Sequence, residues 1–201
     1  MAVRFSASPV ANEEIYEEKL RVSRKYFTHH TKVLEFGCGT GGTAIAHSPY
    51  VQSIVAVDFS KNMLDIAREK SDLAKVKNIE FVESGIEDLD VKDSSFDAVL
   101  GLGILHLLQS EQSVIDKVYR ILQPGGVFIS STPCLSNASL LFKLRRLIAY
   151  WFGFGPLIRF YSSRCLESAI LKSGFQIVHK WEPGSDPLKS IFLIARKEDT
   201  N

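Results

Sequence analysis

The sequence predicts an α/β domain in which short buried strands alternate with helices. Three observations lead there. The stretch Val33-Leu34-Glu35-Phe36-Gly37-Cys38-Gly39-Thr40-Gly41-Gly42 is an apolar run that ends in an acid and breaks into a glycine-rich turn. A run of that kind, stopped abruptly by turn residues, marks a strand buried on both faces of a parallel sheet. Further short apolar runs at 53–58, 78–83, 95–100 and 127–132 recur with helix-patterned segments between them, the alternation that builds such a sheet. The last two runs, 175–181 and 190–197, follow each other with no helix between.

At 201 residues a single domain spanning 1–201 is expected, large enough to bury a substantial core. Within it, residues 1–30 form a helical cap before the first strand and residues 133–163 a helical insertion after the fifth. The formal net charge of +1 sets up no global field for nucleic acid or an acidic partner. Cys38, Cys134 and Cys165 are widely spaced and odd in number, which points to free thiols rather than a disulfide framework or a metal site. The N-terminus shows no apolar core of signal-peptide length, and the longest uncharged, mostly apolar stretch, 147–158, is interrupted by Gly153, Gly155 and Pro156 and is too short to span a bilayer. The expected location is the cytoplasm.

Taken in order, Asn12 or an earlier residue starts a helix running to about Phe27, with Glu13 and Glu14 early and bases late, as the helix dipole prefers. Glycines at 37, 39, 41 and 42 permit positive φ and let a ligand approach the backbone. A helix opens at Thr43 and is ended by Pro49. After the second strand, Asp58 falls about 20 residues beyond the loop, where an acid can accept ribose hydroxyls. Ser60 caps the next helix, from which Met63 can rest on an adenine. The helix over 111–122 carries Val114, Ile115, Val118, Ile121 and Leu122 on one face, and Gln123-Pro124-Gly125-Gly126 stops it before the fifth strand. The helix over 164–173 ends at Gly174.

Gly37, Gly39 and Gly42 also fit G-x-G-x-x-G, the fingerprint of nicotinamide dinucleotide enzymes. Glu35 discriminates: a carboxylate beside a pyrophosphate repels it, whereas one beside an ammonium group holds it. With that acid, the stretch resembles the first motif, E/D-x-G-x-G-x-G, of class I S-adenosylmethionine-dependent methyltransferases. Val57-Asp58-Phe59-Ser60 is similar to the family's second binding stretch, Ser95-Phe96-Asp97-Ala98-Val99 to its S-F-D-x-V, and Arg120-Ile121-Leu122-Gln123-Pro124-Gly125-Gly126 to its R-x-L-x-P-G-G turn.

The resemblance implies a Rossmann-like seven-stranded sheet of order 3-2-1-4-5-7-6, with strand 7 antiparallel and helices on both faces. It implies S-adenosylmethionine as methyl donor and S-adenosylhomocysteine as product. The implied cofactor-binding residues are Glu35, Phe36, Gly37, Cys38, Gly39 and Thr40 in the loop, and Asp58, Phe59 and Met63 after the second strand. Gly85, Ile86 and Glu87 follow after the third strand and Gly101 and Leu102 at the end of the fourth. Tyr16 joins them from the cap helix, which covers the cofactor in the family. Gly85 departs from the pattern, since the family commonly places an acid there to reach the adenine; Glu87 or the backbone of Gly85 and Ile86 is left to do so.

His106 is the histidine that this reading puts near the crevice, and an unperturbed pKa of about 6.5 suits a general base; a hydrogen-bonded structural role is the alternative. No Asn/Asp-Pro-Pro-aromatic stretch follows the fourth strand and no basic groove is evident, which argues against nucleic-acid acceptors and for a small molecule, lipophilic if the insertion shapes the pocket. That insertion carries Phe142, Leu147, Trp151, Phe152 and Phe154 beside Lys143, Arg145 and Arg146. Its apolar face packs on the domain, lines an acceptor pocket, or lies on a membrane surface. Two other functions stay open: a catalytically silent S-adenosylmethionine-binding protein acting through a partner, and the nicotinamide oxidoreductase.

Overall fold

In the computed structural model, which describes residues 12–136, 138–152, 158–184 and 189–199, all seven expected strands form. They are β1 (Lys32–Phe36), β2 (Ser53–Asp58), β3 (Ile79–Glu83), β4 (Phe96–Leu102), β5 (Leu122–Pro133), β6 (Phe175–Trp181) and β7 (Ser190–Lys197). The helices are α1 (Glu13–Arg24), α2 (Gly42–His47), α3 (Lys61–Leu73), α4 (Glu111–Ile121), α5 (Leu140–Trp151) and α6 (Ser163–Lys172). Residues 1–11 of the expected N-terminal cap and Phe154 of the insertion lie outside the described residues.

The sheet order is β3-β2-β1-β4-β5-β7-β6. The pairs from β3 to β5 are parallel, and β7 runs antiparallel to both β5 and β6. The order therefore turns back between β1 and β4, and a crevice opens at the carboxyl ends of the strands at such a switch point. Because side chains alternate along a strand, β1 serves two cores at once. Leu34 and Phe36 join Val57, Val99 and Phe128 in a core closed by Val114, Ile115 and Val118 of α4 and Leu166 and Ile170 of α6. Val33 joins Ile54, Ala98 and Leu100 in a second core covered by Val22 of α1, Ala44 of α2 and Leu64 of α3. Glu35 is on the same side as Val33, beneath α1 and α2.

Several helices start where a capping side chain satisfies a first-turn N–H. Asn12 accepts from Ile15 N at 3.1 Å, Ser60 from Met63 N at 3.4 Å and Ser162 from Cys165 N at 3.2 Å, each cap being worth about 1 kcal/mol. Gly174 ends α6 at φ +92°, as expected of a left-handed C-terminal cap. Two boundaries differ from the sequence reading. The first helix stops at Arg24 rather than Phe27, and the Arg24 guanidinium sits 4.4 Å from the centre of the Tyr50 ring. The Gln-Pro-Gly-Gly turn does not precede β5 but is carried inside it. Phe96 pairs with Leu122 and Ala98 with Val127, leaving 123–126 as surplus chain on one side of the ladder. Pro124 cannot donate to the ladder and Gly125 takes φ +76°, so these residues suit a bulge.

Candidate cofactor site and acceptor side

Glu35 is only 4% exposed. Its Oε2 is buried without a hydrogen-bond partner among the described residues, and burial pushes its carboxyl up to about 8. A buried acid left without a partner is costly, and a cation brought beside it would relieve that cost. The hydroxyl of Tyr16, on α1, is 3.3 Å from Thr43 Oγ1. Burial raises the Tyr16 pKa, the Thr43 bond opposes that, and the Glu35 charge raises it further, which makes Tyr16 a neighbour of the acid.

The loop after β1 is shaped by three left-handed glycines with different reasons. A Cβ on Gly37 (φ +66°) would come within 2.6 Å of Ile104 Cγ1, and one on Gly41 (φ +74°) within 2.9 Å of Ala67 Cβ. At Gly39 (φ +54°) nothing among the described residues lies within 4 Å of that position. The first two are glycines because the protein crowds them; the third stands open, two residues after Gly37 and four after Glu35. At Gly101 a Cβ would meet the Phe36 ring, so this glycine makes room for the core. Phe36 itself is buried, stacked on Phe128 at 6.3 Å between ring centres, so only its backbone is available to a cofactor.

Asp58 is not a solvated turn acid. It is buried, and its Oδ2 accepts from Gly39 N at 2.9 Å while its Oδ1 accepts from Ser60 N at 2.9 Å. One carboxylate thus clasps the glycine loop to the start of α3, and the spare lone pairs on the same oxygens can accept ribose hydroxyls. Phe59 next to it is 77% exposed and Met63 is half-buried. Thr40 Oγ1 accepts from Lys70 Nζ at 3.1 Å. Cys38 donates its N–H to the Val57 carbonyl at 3.1 Å, and burial followed by the Glu35 and Asp58 charges drives its thiol up, which keeps it protonated and unreactive.

Beyond β3, the Gly85 carbonyl is taken by Leu89 N at 3.1 Å and Ser84 Oγ at 2.9 Å, and Ile86 is buried in the core. Two carboxylates stand beside Gly85: Glu87 Oε2 lies 3.4 Å and Asp88 Oδ2 3.6 Å from where a Gly85 side chain would start. Acids therefore lie near the position the sequence leaves empty, from the residues two and three further along. Leu102 is half-buried and pairs with Ser131. His106 lies in a short 3-10 turn, Leu105–Leu107, with Nδ1 buried and unpartnered among the described residues and its pKa lowered by burial. Its carbonyl accepts from Arg159 N at 2.8 Å, and Arg159 Nη1 reaches Glu111 Oε2 at 3.2 Å, so the insertion's far end is tied to the turn that carries the histidine.

Two contacts here had no sequence signal. Lys19 Nζ donates to Ser131 Oγ at 2.9 Å and Ser190 Oγ at 3.1 Å, bringing a cation from α1 over the ends of β5 and β7; Lys70 on Thr40 is the other. Among the described residues no cluster of His, Cys, Asp or Glu could hold a metal ion, and no helix is long and apolar enough to cross a membrane.

An unpartnered buried acid, an open glycine and a carboxylate with spare lone pairs thus follow β1 and β2 at the carboxyl ends of the parallel strands. The chain belongs to the methyltransferase domain family, whose model matches residues 27–179, and is a class I S-adenosylmethionine-dependent methyltransferase. The family match sets aside the nicotinamide reading. Among curated relatives, the demethylmenaquinone methyltransferase of Oceanobacillus iheyensis is 30% identical over 167 residues, 81% of this chain and 67% of that protein. The uncharacterized methyltransferase YcgJ of Bacillus subtilis is 34% identical over 98 residues, 49% of this chain and 39% of that protein. The crystal structure of YcgJ matches with TM-score 0.75 at 20% identity, covering 92% of this chain and all (100%) of that one. The [4+2]-cyclase SpnF also matches, with TM-score 0.72 at 15% identity, covering 92% of this chain and 81% of that one. The fold is therefore shared by proteins of different reaction, and the acceptor must be argued separately.

Proposed function

We propose that this chain transfers the methyl group to a small lipophilic ring acceptor of the demethylated-quinone kind, used in its reduced form. The observation that carries the reading is the similarity, over 81% of the chain, to a protein named demethylmenaquinone methyltransferase. The donor supplies an electrophilic methyl on a sulfonium that departs as a neutral thioether. In this reading the Glu35 carboxylate holds the donor's ammonium group, assisted by Tyr16, and the glycine at 39 lets the methionine part lie on the backbone. Asp58 holds the ribose, with Phe59 and Met63 against the adenine face and Glu87 at its amino edge. Gly37, Cys38, Thr40, Gly85, Ile86, Gly101 and Leu102 shape the walls. Burial lowers the His106 pKa and keeps the imidazole neutral at pH 7, so its ring can take the proton that the acceptor releases on methylation. Alignment of the acceptor with the methyl and exclusion of water supply the rest of the rate.

The test is direct. Purified protein, S-adenosylmethionine and chemically reduced demethylmenaquinone in detergent micelles should yield a product heavier by one methylene, and His106→Ala should slow it by about 10²–10⁴ with donor affinity unchanged. Absence of product, under conditions where the Oceanobacillus enzyme gives it, removes the quinone reading and leaves the methyltransferase assignment standing.

A further inference from the structure

Helix α5 is turned the wrong way for a helix that packs on its own domain. None of its residues is buried. Its least exposed side chains, Lys143, Arg146 and Ala149, recur every third residue, which places a stripe with two bases on the inner side. Lys143 Nζ donates to the Ser136 carbonyl at 2.6 Å and lies 5.6 Å from the centre of the Phe160 ring. The strongly apolar stripe faces outward: Leu140 is 82%, Leu141 68%, Leu144 50%, Ile148 48% and Trp151 79% exposed. On a 3.6-residue period these positions share one side of the helix with Leu147. A contiguous apolar face of this kind on a water-soluble surface marks an interaction site.

The charge around it says what covers it. Residues 117–166 contain no Asp or Glu, while Lys143, Arg145 and Arg146 lie within the helix and Arg159 and Arg164 follow it. Arg145 is exposed at the rim of the apolar stripe. Apolar side chains flanked by bases, with no acid within residues 117–166 and, among the described residues, Arg159 alone of these bases paired with an acid, Glu111, match the interface of an anionic bilayer, where leucines and tryptophan enter the acyl boundary and nearby bases meet the anionic head groups. A helix of 12 residues is about 18 Å long, enough to lie along the surface and too short to cross.

We infer that α5 is an amphipathic docking helix that seats this enzyme on an anionic lipid surface. The seat is coupled to the acceptor side, because Phe142 packs edge-on against Phe160 at 6.4 Å and the neighbouring Arg159 N–H is bonded to the His106 carbonyl at 2.8 Å. A docked α5 puts the mouth of the crevice beside the lipid. The inference does not rest on the quinone reading, and either can fail while the other holds.

Trp151 and Trp181 are the two tryptophans, so the full chain carrying Trp181→Phe makes Trp151 the sole reporter. With phosphatidylcholine vesicles containing phosphatidylglycerol at low salt, the protein should co-sediment and Trp151 emission should shift to the blue. Phosphatidylcholine alone or raised salt should weaken partition at least tenfold. Leu144→Asp combined with Ile148→Asp should abolish co-sedimentation while leaving S-adenosylhomocysteine binding intact, which shows that the variant is folded. Unchanged Trp151 emission, or co-sedimentation that survives the double substitution, overturns the inference. So does a solution dimer that the double substitution dissociates, because the face would then belong to a second copy.

Discussion

The loop after β1 and the helix α5 each break a rule of packing, in opposite directions. At the loop, a carboxyl is hidden with an oxygen that has no partner among the described residues. At α5, large apolar side chains are shown to water. Each arrangement is unfavourable for the chain by itself, and each becomes favourable when the missing partner arrives: a cation for Glu35, an apolar phase for Leu140 and Trp151. Departures from good packing in an otherwise consistent fold are where function is expected. The difference between the two also separates their consequences. Changes in the loop should act on donor binding, and on the fold as well where the chain itself crowds or bonds the residue, whereas changes in α5 should leave both untouched.

The largest effect expected is at Gly37. Gly37→Val places a branched side chain against Ile104 at a left-handed φ of +66°, adding about 1–3 kcal/mol of overcrowding to about 1–3 kcal/mol of backbone strain. Urea denaturation should show the loss. Gly39→Val meets no atom of the described residues within 4 Å of its Cβ, so it should retain a near wild-type circular dichroism spectrum with only the strain contribution, yet bind no donor. Equal stability losses in the two variants would remove the distinction between a crowded glycine and a ligand-facing one.

Asp58 and Glu35 form the next contrast. Asp58→Ala removes the proposed ribose acceptor and both bonds that tie Gly39 N and Ser60 N together, so donor affinity and thermal stability should fall together, each by roughly 1.5–3 kcal/mol. Glu35→Gln should weaken donor binding by a similar amount while sparing stability. Its pH behaviour carries a sign. The folded carboxyl at about 8 lies above the ordinary glutamate value of about 4.3, so between these values the folded state holds a proton that the unfolded state has lost. The ligand-free protein should therefore lose stability as pH rises from about 4.3 towards 8. Glu35→Gln should flatten that slope in urea melts taken across the range; an unchanged slope would mean that another group is responsible.

The smallest effect is at α5. Were its apolar face packed on the domain, Trp151→Ala would cost about 3–5 kcal/mol. At 79% exposure it should shift stability by no more than about 0.5 kcal/mol, read by thermal melting.

The sheet was legible from the sequence because buried strands announce themselves as apolar runs cut off by glycine, proline and acids, and the resemblance supplied the order and the reversed β7. The Pro-Gly-Gly bulge was read as an ordinary turn, since nothing local distinguishes a turn before a strand from surplus chain within one. Glu35 and Asp58 stood out by residue type at a strand end. The clasp from Asp58 to Gly39 N, Lys70 on Thr40 and Lys19 on Ser131 depend on chain segments that meet only in three dimensions. The face of α5 could be drawn from its spacing, but which way it turned could not. Periodicity defines a stripe, and the neighbours that cover or uncover it are decided by tertiary packing.

The central claim is that Glu35 awaits an ammonium group, and proton release on binding tests it most directly. S-adenosylhomocysteine keeps that ammonium, so it should be titrated into the protein by calorimetry at pH 6.5, in two buffers of different ionisation enthalpy. With the free carboxyl at about 8 and ionised once paired, binding should release about one proton per ligand in the wild type and none in Glu35→Gln. Binding without proton release in the wild type, or with the same release in Glu35→Gln, would contradict the account.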